Sequence, residues 1–382
     1  MEQDHCHLPN ILPITISSKK PPPSPPSSPS SSPSSTSSLS SSPISSKITG
    51  FHAGYFRISL ALCGQALLWK TLSEHTTSDP RELRHLITRL PSISFLLLWS
   101  LAFLSLLSLS LLFLIRCFAH FHHVRAELSD YIGMNYLFAP WISYLLLLQS
   151  TPFFDPHSPI FILLCLFFSL PVIILDVKIY GQWFTKGRKF LSVVANPTSL
   201  LSVIANLAGA RALARMGWKE SAVCMFSLAM AHYLVLFVTL YQRLQGSNGL
   251  PAMLRPAFFL FFAAPSMASF TWASISGHFD ISCKMLFFLS LFLFTSLVSR
   301  PALFKRSMRK FNIAWWTYSF PVTILALAAS EYAQEVKGGI SNALMLCLSV
   351  LSSIVTLALL VYTVLNAGEL IPVDDPFSSV NT

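Results

Sequence analysis

Four prolines recur at matching places in the long apolar segments of this chain. They stand in Phe138-Ala139-Pro140-Trp141, Ala195-Asn196-Pro197-Thr198, Ala263-Ala264-Pro265-Ser266 and Ser319-Phe320-Pro321-Val322. Successive prolines lie 57, 68 and 56 positions apart by subtraction, a length that fits one helical hairpin per repeat. Proline lacks a backbone donor and its ring clashes with the preceding turn, so it kinks or starts a helix. In hydrocarbon, the backbone groups it frees must be met by a neighbouring helix or a water-filled cavity. Bent helices at regular intervals therefore predict a bundle around a polar path, and point to transport rather than chemistry. Composition agrees. The chain is 53% apolar and 11% charged, against about 25% charged in soluble domains.

A membrane span needs about 20 mostly apolar residues. Candidate helices run near 54–72, 92–116, 136–150, 159–179, 197–214, 221–243, 256–276, 282–299, 312–333 and 340–366. Short links make neighbours antiparallel. The expected fold is an all-α membrane protein of ten transmembrane helices, paired as five hairpins in a quasi-fivefold arrangement. The odd-numbered helices carry the prolines, with Gly64 standing in on the first, and belong inside. The stretch 21–46 is almost purely Ser and Pro and buries too little to fold. The domain reading is a disordered cytoplasmic tail at 1–50, a transmembrane domain at 51–367 and a short tail at 368–382. No apolar run follows a basic start, so no cleavable signal peptide is expected. Of 26 Lys and Arg, 17 fall on one side of the hairpins and 9 on the other, which predicts that both termini are cytoplasmic. The net charge of +10 sits mainly in those loops and implies no nucleic-acid partner.

The polar residues carry no catalytic constellation. There is no phosphate-binding loop, metal-ligand set or nucleophile elbow, so no enzyme, cofactor or metal is expected. The seven cysteines are scattered without a CxxC pair. Acidic residues are nearly absent from the spans, which argues against a proton relay. Asp176, near Lys178, and Glu331 read as structural ion pairs before proton sites. His120-Phe121-His122-His123 has no Cys or carboxylate at ligand spacing. Arg57 stands among apolar residues at the start of the first helix. It either faces a cavity and draws anions to the cytoplasmic mouth or snorkels to the interface. Phe320, beside the kink of helix nine, reads on physics alone as ordinary packing before a pore block.

Several runs resemble the plant slow-type anion channel family, itself similar to the bacterial tellurite-resistance/dicarboxylate-transporter family. Besides the proline motifs they include Lys178-Ile179-Tyr180-Gly181-Gln182-Trp183, Ala231-His232-Tyr233-Leu234-Val235, Thr239-Leu240-Tyr241-Gln242-Arg243 and Ala314-Trp315-Trp316-Thr317-Tyr318. They span nearly the whole membrane part in family order, and the tails resemble those of the short-tailed homologues. The resemblance implies inner helices around a central pore in each protomer and a homotrimer in the plasma membrane. It makes Phe320 the pore gate. Leu146 falls where some members carry a second phenylalanine, and Arg57 where many carry glycine. Pro140, Pro197, Pro265 and Pro321 join Leu146 and Arg57 as pore-lining candidates.

The expected function is a slow, weakly voltage-dependent anion efflux channel serving anion homeostasis. Its partners would be chloride, nitrate or other small anions, the lipid bilayer and a regulatory kinase. With no dense ring of basic residues, selectivity follows ease of dehydration and favours nitrate over chloride. Two alternatives stay open. One is a non-conducting or regulatory subunit in heteromers with a related channel. The other is a proton-coupled dicarboxylate carrier.

Overall fold

Proline placement decides how the buried helices begin. In the computed structural model, residues 50–76, 92–185, 195–244, 252–305, 307–308 and 311–368 are described, and no strand occurs among them. The helices are α1 (Arg57–Thr76), α2 (Ser92–Ala119), α3 (Phe121–Ser129), α4 (Tyr131–Tyr136), α5 (Phe138–Ser150) and α6 (Pro159–Thr185). They continue as α7 (Leu200–Arg215), α8 (Lys219–Leu244), α9 (Leu260–Ser276), α10 (Ile281–Val298), α11 (Ser319–Val336) and α12 (Gly339–Leu365). Short 3-10 turns lead into α1, α7, α9 and α11: Ala53–Phe56, Pro197–Ser199, Ala252–Phe259 and Ile313–Tyr318. Almost all of the tails expected at 1–50 and 368–382 and several of the basic loop residues lie outside the described residues.

Three of the recurrent prolines start helical segments rather than bending them. Pro140 and Pro321 are third residues of α5 and α11, and Pro197 opens its 3-10 turn. A missing N–H costs little there, because first-turn donors have no intrahelical partner. Pro265 differs, since it lies inside α9. It leaves the Phe261 carbonyl, four residues back, without its helical donor. The Tyr233 hydroxyl of α8 donates to that oxygen at 3.4 Å. The freed group is thus met by a neighbouring helix.

Five helices form a closed circuit of contacts. α1 packs on α5, α5 on α7, α7 on α9, α9 on α11, and α11 back on α1. Each is backed by the next helix in the chain: α2, α6, α8, α10 and α12 respectively. Burial follows the same division. In their most apolar windows, the segments holding α9 and α11 are 83% and 89% buried, whereas those of the backing helices are 11–33% buried. Seven helices are long and apolar enough to cross a membrane, or up to eight if the bent pair Phe121–Ser129 with Gly133–Ser150 counts as one span. This is an all-α, multi-pass membrane protein. α1, α5 and α7 do not meet that test alone: α5 has 13 residues, α7 has 16, and α1 contains Arg57, Lys70 and Glu74. Their sides face protein, so an apolar surface is not required of them.

Polar side chains knit the inner helices together. Gln65 of α1 donates to Thr323 of α11 and to Ser352 and Thr356 of α12. The Ser59 and Ser143 hydroxyls meet between α1 and α5 at 3.3 Å. Thr271 of α9 donates to Leu207 O, and Gln149 of α5 to Ala208 O. The acidic residues depart from expectation. Asp176 accepts from the Asn206 amide at 2.5 Å, while Lys178 donates to Leu128 O. The ion pairs described are Lys70–Glu74 and Arg116–Glu127. Asp176 and Lys178 stand two apart on α6, a spacing that does not place side chains face to face, and the Asn206 amide of α7 meets the carboxylate.

Arg116 and Glu127 are both buried, and the second Glu127 oxygen accepts from Ala53 N at 2.8 Å. This carboxylate therefore ties the α2–α3 corner to the start of the first inner helix. Glu127→Ala strands a buried guanidinium and should cost about 3–5 kcal/mol. A lowered thermal-unfolding midpoint in detergent checks this. The Arg116→Leu/Glu127→Leu double variant should recover most of the loss.

Candidate functional site

Three inner segments open on the same local device. His52, Asn196 and Asn312 each precede a 3-10 turn with an extended backbone, and each side chain accepts the N–H two residues on, at 3.0–3.1 Å. Such caps satisfy a donor that the helix cannot. Burial first, then the charges of Arg57 and Arg116, push His52 down to about 3. The ring is therefore neutral at neutral pH, and the hydrogen bond from Gly54 N makes Nδ1 its acceptor nitrogen. The cap fixes Gly54, where an added Cβ would lie 2.5 Å from His52 and 2.8 Å from Arg57.

Arg57 is held from three sides. Its Nε donates to Gly54 O at 2.9 Å, its Nη1 reaches Thr317 Oγ1 at 3.3 Å, and its guanidinium lies 4.4 Å over the Tyr136 ring. The stacking contributes about 0.5–2 kcal/mol. Arg57 is buried, so it neither reaches an interface nor hangs free in an open mouth. It links the start of α1 to the turn just before Phe320.

Phe320 lies directly beyond. Its ring is 2% exposed and faces Gly64 of α1, where a Cβ would meet the ring edge at 3.4 Å. A Cβ there would touch the ring at ordinary van der Waals distance, so the ring packs closely over this part of α1. The pocket between Phe320 and Arg57 is lined also by Leu60, Tyr136, Leu201, Leu260 and Pro321. Its volume is about 10 Å³, room for no more than one water. Packed side chains thus nearly fill the space between Arg57 and Phe320.

The same helices line a second, larger cavity toward their other ends. It measures about 290 Å³ and is walled by Lys70, Thr71 and Glu74 of α1, Arg211 and Arg215 of α7, Ser274 of α9 and Glu331 of α11. From Leu201 in the first pocket to Arg211 in the second is ten residues of α7, a rise of about 15 Å. The two cavities are therefore successive spaces within one helix circuit, with Phe320 and Gly64 between them. Glu331, expected in an ion pair, lines the wider space.

Of the candidate residues, the structure brings Arg57, Phe320 and Pro321 to one pocket. Leu146, Pro140, Pro197 and Pro265 are all buried on inner segments but do not line it. The sequence reading passed over Tyr136, Thr317, Gln149 and Arg211. Arg211 left a signal: like Arg57, it is an arginine inside a candidate span.

The family model described as SLAC1, voltage-dependent anion channel, matches residues 50–364. Two curated proteins of Arabidopsis thaliana are similar over most of their length. S-type anion channel SLAH1 is 54% identical over 332 residues, 87% of this chain and 86% of that protein. S-type anion channel SLAH4 is 53% identical over 324 residues, 85% and 86% of the two chains. Guard cell S-type anion channel SLAC1, from the same plant, is 39% identical over 323 residues, 83% of this chain and 56% of that one.

If the Phe320 level is the barrier, a thiol on its narrow side is reached slowly by a charged methanethiosulfonate reagent added from the wide cavity. In a background lacking the exposed Cys224 and Cys347, Ser274→Cys should react fast and Leu201→Cys slowly. Phe320→Ala should raise the Leu201→Cys rate by about tenfold or more, as loss of an apolar block predicts. Equal rates with and without the ring would place the barrier elsewhere.

Proposed function

The chain belongs to the SLAC1 family of voltage-dependent anion channels, and on that premise we propose that it forms a chloride- and nitrate-permeable efflux pore occluded by Phe320. One observation carries this reading. The Phe320 ring is buried on Gly64 inside a closed circuit of five helices, with a nearly filled pocket on one side and a charged cavity on the other. In this reading the ten candidate helices are all spans, five inner ones in quasi-fivefold order around the path and five outer ones toward lipid. The three that lack a fully apolar stretch are tolerated because protein surrounds them.

Opening requires the ring to leave Gly64. An apolar constriction blocks ions and excludes water until it widens. Once open, the walls are apolar groups, hydroxyls and first-turn backbone, so anions bind weakly and the more easily dehydrated nitrate passes ahead of chloride. A negative cell interior drives the flux outward. The proposal extends to slow, weakly voltage-dependent gating in a plasma-membrane homotrimer, with both termini cytoplasmic and a kinase acting on the Ser/Pro-rich tail. Arg57, Phe320 and Pro321 form the gate region. Pro140, Pro197 and Pro265 set the starts and the bend of the other inner helices, and Leu146 fills the bundle on α5.

Arg57 favours a second reading beside the first. It lies on the narrow side of Phe320 and binds Gly54, Thr317 and Tyr136 at once. Two barriers in series suit a subunit that stays quiet alone and modifies a related channel in mixed oligomers.

Voltage clamp of oocytes in chloride and nitrate separates the readings. Wild type should pass little current, Phe320→Ala about tenfold more or beyond, and Phe320→Ala/Arg57→Gly more again, with nitrate the more permeant ion. Silence of all three despite surface expression would overturn the pore reading and leave the partner-subunit reading to co-expression with a long-tailed relative.

A further inference from the structure

Arg211 carries a charge that no described carboxylate pairs with. It is 6% exposed on α7, and neither of the described ion pairs includes it. The guanidinium lies 3.7 Å over the Phe270 ring, Nη1 donates to Gln149 Oε1 at 2.7 Å, and Nε has no acceptor. A ring face and a neutral amide return part of the cost of taking this cation out of water, but not the whole of it. Arginines inside membrane-spanning bundles generally face a cavity or a counter-charge. Arg211 borders the 290 Å³ cavity, which at about 30 Å³ per water holds a small ion with part of its hydration shell.

The other charges around that cavity are already engaged or opposed. Lys70 Nζ donates to Gln149 O at 3.3 Å and Thr151 O at 2.9 Å, and Arg215 Nη1 donates to Gln149 O at 3.1 Å. These two cations meet the free carbonyls at the C-terminal end of α5, the negative end of that helix. Glu74 pairs with Lys70 at 3.7 Å, and Glu331 lies across the cavity on α11. Three cations against two carboxylates leave one positive charge, and the unpaired buried cation is Arg211.

We propose that this cavity binds one small monovalent anion of the chloride or nitrate kind, anchored by Arg211 in the grip of Gln149 and Phe270. The proposal deepens the channel reading by naming an anion site in the same path, and rests on it only for the site's role in permeation. A monovalent ion balances the cavity's single excess charge. A dianion would leave net negative charge facing Glu331, so Glu331 sets the valence limit.

The test measures binding rather than current, so it stands even if the pore proves silent. Purified full-length protein in detergent is assayed for radiolabelled chloride binding by scintillation proximity, at constant ionic strength with a bulky organic anion as the balancing salt. Wild type should bind saturably, with nitrate competing and sulfate not. Arg211→Gln should weaken binding by about tenfold or more, the loss of a charge-assisted contact. Glu331→Gln should tighten it and let sulfate compete. Arg300→Gln, at an exposed position, should change nothing. Absence of saturable binding to wild type, or equal affinity in Arg211→Gln, overturns the site. Should Arg211→Gln fail to fold, Glu331→Gln decides: unchanged affinity and unchanged exclusion of sulfate overturn it too.

Discussion

Backbone and charge in hydrocarbon must be satisfied inside the protein, because lipid offers no hydrogen bonds. This chain meets the constraint by dividing its helices into two kinds. The backing helices are long and apolar, and their exposed faces carry residues such as Leu97, Phe167, Leu234, Phe292 and Ile354. The inner helices can then be short, start on proline and carry arginine. α7 shows how far this goes. It has 16 residues, begins behind a proline turn and ends in two arginines four apart, yet fourteen of its first fifteen residues are uncharged and all fifteen are buried.

That division explains how the inner space can be apolar at one level and charged at another. Phe320 packs over Gly64 in a contact that uses no charge at all. Toward one end, Arg57 is pinned by a carbonyl, a hydroxyl and an aromatic face. Toward the other, the C-terminal end of α5 gathers Lys70, Arg211 and Arg215 around Gln149. Each cation is placed by groups from another inner helix or from the turn before one. The electrostatics of the path therefore depend on the circuit staying closed, and a shift of one helix moves both.

Much of the fold was legible because hydropathy and proline spacing are local signals. The inner and outer alternation follows from which segments hold the prolines, and Gly64, the exception on the first inner helix, is the residue over which Phe320 packs. Span counting was harder. α1, α5 and α7 look weak by hydropathy for the same reason that they are inner, since protein rather than lipid surrounds them. The role of proline was read only in part. Three of the four start segments, and only Pro265 interrupts one, with Tyr233 covering the carbonyl it exposes.

The site was less legible because its contacts are long-range. Arg57 meets Thr317, 260 positions away, and Arg211 meets Gln149, 62 positions away. No spacing rule pairs such residues. The repeated caps at His52, Asn196 and Asn312 were hidden by a change of residue type, though each does the same job two residues before the donor it satisfies. The central claim is that a single ring on a glycine closes an otherwise continuous anion path. The most direct measurement is anion flux in proteoliposomes made from the purified chain alone, followed by iodide quenching of a trapped dye. Vesicles with wild type should stay tight and those with Phe320→Ala should leak fast. Equal flux in both, with equal protein inserted, would contradict the account.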